Sequence, residues 1–124
     1  MTAGKLLLDS NIIVHVFNGH KALARGIEGK VLYVSVVTRM ELLAWPGENA
    51  ARDRWVRKFL DECEVVMLDD EVEQHAIAVR KRFRLSWSDS VIAATAMRKN
   101  VALFTSDKRF TRLKDAAKII LVQP

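Results

Sequence analysis

Several residue types that define special scaffolds are scarce in this sequence. It has one cysteine, Cys63, so no internal disulfide can form and a disulfide-stapled domain is excluded. Cys63 continues the apolar side of a predicted helix and reads as a buried, inert thiol. Two prolines and five glycines, with no run rich in either, leave no linker and no low-complexity tract. The 124 residues are therefore expected to form one domain spanning 1–124. No uninterrupted apolar run is long enough to span a bilayer, and MTAGK leads into LLLD without a signal-peptide pattern. The three histidines, His15, His20 and His75, show no paired spacing with cysteine, so no zinc site is expected. Together these absences point to the cytoplasm and to no membrane partner.

What is present suits a globular domain. Half the residues are hydrophobic, which excludes intrinsic disorder. A net charge of +5 suits an anionic partner such as nucleic acid, as supporting evidence only. Apolar runs alternate with helical patterns. Strands are expected at 5–9, 31–35, 64–69, 101–106 and 118–122. Helices are expected at 11–18, 36–45, 50–62, 71–84, 89–99 and, shorter, 107–113. A polar, glycine-bearing segment follows Asn18, and Ser88 is the expected N-cap of the helix opening at Asp89. Apolar strands separated by helices imply an α/β fold of three layers, with a mostly parallel sheet covered on both faces. Ligands of such sheets bind beyond the carboxyl ends of the strands.

Four acids fall near those ends. Asp9 closes LLLD, Asp107 follows LFTS, Asp89 opens the small, apolar helix SVIAATAM, and Glu41 sits in VVTRMELLAW. Each has an ordinary alternative. Asp9 or Ser10 can cap a helix, Asp89 suits a first helical turn, and Asp107 suits a turn. Glu41 can lie on a solvated stripe with Thr38, although its neighbours predict a helix apolar on nearly every side. Taken as a set, the four carboxylates would repel one another, and a hard divalent cation relieves that. Oxygen-only ligands select Mg²⁺ or Mn²⁺. The hydroxyls of Ser10 and Thr105 can orient a carboxylate or water, or simply cap backbone amides.

In order along the chain, LLLDSNIIV, SVVTRMELLAWPG and SDSVIAATAMRKNVALFTSDKRF resemble the motifs of PIN-domain ribonucleases. Within that family they resemble the VapC-type toxins of toxin–antitoxin pairs. The resemblance runs from Leu6 to Phe110, and D-S-V-I-A-A-T-A is its most specific piece. It implies a PIN-like (Rossmann-like) fold and a pocket of Asp9, Glu41, Asp89 and Asp107. Asp9 and Asp89 would be the firmest metal ligands. Ser10 and Thr105 would be the motif hydroxyls, and Asn11 would hold the turn. It further implies a homodimer and a small antitoxin whose tail covers the pocket. Two positions depart from the pattern. Ser88 stands where proline is frequent, and Arg109 stands where some members carry the last motif's acid.

The activity so implied is metal-dependent hydrolysis of RNA, with water attacking phosphorus in line to leave a 5′-phosphate and a 3′-hydroxyl. Basic residues must hold the strand around an acidic pocket. Arg39, Lys108, Arg109 and Arg112 are the candidates. Arg80, Lys81, Arg82 and Arg84 form a second cluster that reads better as a solvated face. Among the tryptophans, Trp55 reads as core and Trp87 as a rim residue. Two alternatives stay open: a PIN-like module that binds RNA or protein without cutting, and a phosphoaspartate protein of the haloacid-dehalogenase or receiver type with Asp9 as nucleophile. Neither phosphoaspartate pattern explains Glu41.

Overall fold

The computed structural model describes residues 4–124. Its five strands are β1 (Lys5–Leu8), β2 (Val31–Ser35), β3 (Glu64–Val66), β4 (Ala102–Thr105) and β5 (Ile119–Leu121). All pair in parallel, in the order β3-β2-β1-β4-β5. The helices are α1 (Ser10–Phe17), α2 (Lys21–Ile27), α3 (Val36–Leu43), α4 (Ala50–Asp61), α5 (Asp70–Phe83) and α6 (Trp87–Lys99). A 3₁₀ helix, Lys108–Leu113, joins β4 to β5.

Strand alternation divides the core between two faces. Leu7, Tyr33 and Leu103 point to one side, where Val79 of α5, Ile92, Ala93 and Ala96 of α6, and Phe110 and Leu113 pack on them. Leu6, Leu8, Val34 and Phe104 point to the other, against Ile12, Ile13, Leu23, Ile27, Leu42, Val56 and Leu60 of α1 to α4. Leu7 has no exposed surface; burying such a side chain contributes about 2 kcal/mol. α6 can lie close to α5 because small Ala76 and Ala94 meet between Val72 and Val91. This packing fixes the start of α6, where Asp89 lies.

Side-chain caps set the helix starts. Asp9, His20, Ser35, Asn49, Asp69 and Ser86 each accept a backbone N–H of the first turn. Four sequence expectations change as a result. The segment after Asn18 contains α2, because His20 Nδ1 accepts the Leu23 N–H at 3.3 Å and Leu23 and Ile27 bury one helical stripe. The third strand stops at Val66: Met67 and Leu68 are exposed and Asp69 caps α5. α6 opens at Trp87, capped by Ser86, whose Oγ accepts the Asp89 N–H at 3.1 Å, so Ser88 is not the cap. Its signal was the spacing Ser-x-x-Asp from Ser86 to Asp89. Finally, α3 is not buried nearly all round, since Met40 is 61% and Leu43 42% exposed.

Candidate active site at the sheet switch point

The chain runs outward from β1 to β2 to β3, then returns to place β4 on the other side of β1. The crevice between β1 and β4 is thus the point where strand order reverses, the place where parallel sheets receive ligands. Asp9 lies two residues beyond Leu7, and Thr105 two beyond Leu103. Alternation therefore turns both toward the α6 side. The Asp9 N–H still donates to Phe104 O at 3.1 Å, which extends the sheet to the edge of the crevice.

Asp9 forms the floor. It is 5% exposed, and both carboxylate oxygens are engaged. Oδ1 accepts the Ser10 N–H at 2.8 Å, and Oδ2 accepts the Thr105 hydroxyl at 2.7 Å. Burial nevertheless raises its pKa above the ordinary carboxylate value, and the charges of Asp89 and Asp107 add to that; the two hydrogen bonds oppose it. Fully buried Thr105 is a link as well as a donor, because its Oγ1 accepts the Asp107 N–H at 3.0 Å.

Asp107 forms the rim and caps the 3₁₀ helix, accepting the Arg109 N–H at 2.9 Å. The Arg109 guanidinium folds back on it. Nε lies 3.1 and 3.0 Å from the two oxygens, and Nη2 lies 2.5 Å from Oδ2. These hydrogen bonds and the guanidinium charge hold the Asp107 pKa below its ordinary value, and the Arg109 pKa is raised in turn. Nη2 also reaches Asp89 Oδ2 at 3.5 Å.

Asp89, the third residue of α6, is carried in on that rigid helix with its side chain 13% exposed. Glu41 comes from α3, which packs against both α1 and α6. Although the residue as a whole is exposed, its carboxyl group is partly sunk toward the pocket. Burial raises its pKa, the charges of Asp9 and Asp89 add to the rise, and the Ser88 hydroxyl opposes it. Asp9 thus feels the charges of Asp89 and Asp107, Glu41 feels those of Asp9 and Asp89, and Thr105 links Asp9 to the Asp107 backbone. Ser10 serves Asp9 through its backbone N–H. Asn11 Oδ1 is buried without a hydrogen-bond partner among the described residues, and Asp9 caps the start of α1.

The donor set, carboxylates and hydroxyls alone, fits a hard divalent cation. Among the described residues, no three acids already stand as a closed ligand set. Arg109 is the cation lying among them. Arg109, expected among the residues that hold RNA, turns its guanidinium to Asp107 and Asp89. Lys108 and Arg112 are exposed on the same 3₁₀ helix. Half-buried Arg39 reaches Met67 Sδ at 3.9 Å.

Sequence reasoning missed Arg52. It is 7% exposed, donates to the carbonyls of Trp45, Pro46 and Gly47 at 2.7 to 3.1 Å, and lies 4.5 Å over the Trp45 ring. It thereby shapes the loop that borders a groove of about 290 Å³, lined by Ser10, Val14, Glu41, Leu42, Trp45 and Pro46. The signal was present: Arg52 stands four and eight residues before Val56 and Leu60, on the buried stripe of α4.

An all-parallel α/β domain with an acid-lined crevice at its switch point defines a Rossmann-like fold. More narrowly, residues 6–116 match the PIN domain family model, and the chain belongs to that family. No curated protein matches its sequence. Among solved structures it is similar to VapBC2 from Rickettsia felis bound to a promoter DNA fragment (TM-score 0.83, 18% identity, 96% of this chain and 99% of that one). It is also similar to a toxin–antitoxin complex from Klebsiella pneumoniae (0.80, 21%, 96% of each chain). A third likeness is to VapBC-1 from nontypeable Haemophilus influenzae (0.77, 23%, 94% and 97%). No helix among the described residues is long and apolar enough to cross a membrane.

Proposed function

We propose that this protein is a metal-dependent endoribonuclease and the toxin of a toxin–antitoxin pair. The observation that carries this is the hydrogen-bonded series Asp9–Thr105–Asp107 across the switch point, with Asp89 and Glu41 electrostatically coupled to it. Asp9 and Asp89 would be the principal ligands of Mg²⁺ or Mn²⁺, with Glu41 and Asp107 completing the set. A bound cation would neutralise phosphate charge and make water more acidic. Thr105 and the Ser10 N–H fix the direction of the Asp9 carboxylate. α6 fixes the position of Asp89, and Lys108, Arg112 and Arg39 would hold flanking phosphates. Water attacks phosphorus in line, the P–O3′ bond breaks, and the products carry a 5′-phosphate and a 3′-hydroxyl.

The antitoxin partner, a homodimer and the RNA substrate belong to the same proposal, supported by family membership and by neighbours described as toxin–antitoxin complexes. One observation favours a second reading. Arg109 already pairs with two of the acids, as suits a module that binds without cutting. The phosphoaspartate alternative fits less well, since it gives no role to Glu41, whose carboxyl is coupled to Asp9 and Asp89.

The test is cleavage of a mixed structured RNA pool by wild type and Asp9→Asn, with Mg²⁺, Mn²⁺ or EDTA. Cleavage requiring both the metal and Asp9 is expected. Full cleavage by the folded Asp9→Asn variant would remove Asp9 from the chemistry. Absence of cleavage alongside retained RNA binding would favour the binding module.

A further inference from the structure

The placement of Arg109 has a consequence for how this pocket takes up a cation, given the reading above that its acids receive one. We propose that Arg109 is a resident counter-ion of the pocket that competes with the divalent cation for Asp107 and Asp89 and leaves them when the cation enters.

Three observations carry this. First, the guanidinium is committed inward: Nε and Nη2 together contact both oxygens of Asp107, and Nη2 also contacts Asp89. A planar fork is well suited to holding carboxylates that would otherwise repel each other. Second, the arm is releasable. The Arg109 side chain is 60% exposed, its side-chain hydrogen bonds among the described residues go to Asp107 alone, and it stems from a short 3₁₀ helix. Third, the acids stay when the arm leaves. The backbone beside the Asp107 carboxylate is tied to Thr105, and Asp89 is held by the start of α6. The pocket therefore survives the exchange, and a competing guanidinium lowers apparent cation affinity by the fraction of time it occupies the acids.

Mn²⁺ binding to the full chain, followed by electron paramagnetic resonance in low salt without RNA, tests this directly. Arg109→Gln should bind Mn²⁺ about tenfold more tightly than wild type. Arg109→Lys, which keeps a charge but not the fork, should fall between them. The gap should narrow as KCl is raised, because an exposed ion pair is screened. Arg109→Gln should melt no more than a few degrees below wild type, since it loses an exposed ion pair and no core contact. Equal or weaker Mn²⁺ binding by Arg109→Gln overturns the proposal while leaving the metal-nuclease reading intact. If neither wild type nor Arg109→Gln binds Mn²⁺, both readings fall.

Discussion

Asp9 and Asp107 are joined through one hydroxyl, yet the protein treats them in opposite ways. At the floor, burial raises the pKa of Asp9 despite two hydrogen bonds. At the rim, a forked guanidinium lowers that of Asp107. The floor carboxylate is costly to keep charged and held rigidly. The rim carboxylate is inexpensive to keep charged and held by an exposed arm. If the pocket takes up a cation as proposed, Asp9 is its fixed anchor and Arg109 the side chain that must move aside. The difference comes from position: Asp9 extends a central strand, whereas Asp107 lies past the end of β4 on a surface 3₁₀ helix.

The largest predicted effect breaks the floor. Asp9→Asn should reduce cleavage about 10³-fold or more, since a cation anchor supplies several kcal/mol of transition-state stabilisation. The same change should raise the melting temperature at neutral pH, because it removes a buried charge that burial disfavours. The sign follows from linkage. A carboxyl whose folded pKa is raised contributes stability that is complete below its unfolded pKa and is lost as pH rises through the folded one. The melting-temperature advantage of Asp9→Asn should therefore grow as pH climbs from the ordinary carboxylate range through the raised value, then level off. A thermal melt series across pH checks this; an advantage that shrinks with rising pH would contradict it.

Cutting the link should come next. Thr105→Val removes the donor to Asp9 and the acceptor of the Asp107 N–H inside a fully buried site. Such a loss costs about 1–3 kcal/mol, with a fall of about 4 °C per kcal/mol in a domain of this size. Thr105→Ser keeps the hydroxyl and should retain most of the activity. If valine and serine variants cleave and melt alike, Thr105 is a packing residue and floor and rim are independent.

How much of this was legible beforehand depended on the range of the forces involved. The parallel sheet was readable because Leu6 to Leu8 and Ala102 to Thr105 are apolar in short runs bounded by acids, a local pattern. Asp9, Asp89 and Asp107 come near one another because a strand end, a helix start and a 3₁₀ cap meet at one edge. The cap of α6 was misplaced by two residues because Ser86 and Ser88 offer equivalent local chemistry and only the Ser86–Asp89 spacing separates them. α2 was missed because a histidine cap and two buried residues in seven give a weak signal that tertiary burial completes. The direction of the Arg109 side chain was not legible at all. Sequence places Arg109 beside other basic residues, whereas the fold brings Asp89 within 3.5 Å across nineteen intervening residues.

The smallest predicted effect separates Arg109 from its neighbours on the 3₁₀ helix. Lys108 and Arg112 are exposed and have no carboxylate partner among the described ion pairs. They are thus free to meet phosphate where Arg109 is not. Lys108→Glu or Arg112→Glu, in the Asp9→Asn background so that RNA stays intact, should weaken RNA binding several-fold. Each lost phosphate contact should make the log–log salt dependence shallower by about 0.7 for a single strand. Neither change should alter the melting temperature, since both side chains lie outside the core. Arg109→Gln should leave that salt slope nearly unchanged in the absence of a divalent cation, because its charge is already spent on Asp107 and Asp89. A slope change at Arg109 as large as that at Lys108 would mean that RNA competes for the arm even without metal. The rim would then open to substrate rather than to the cation.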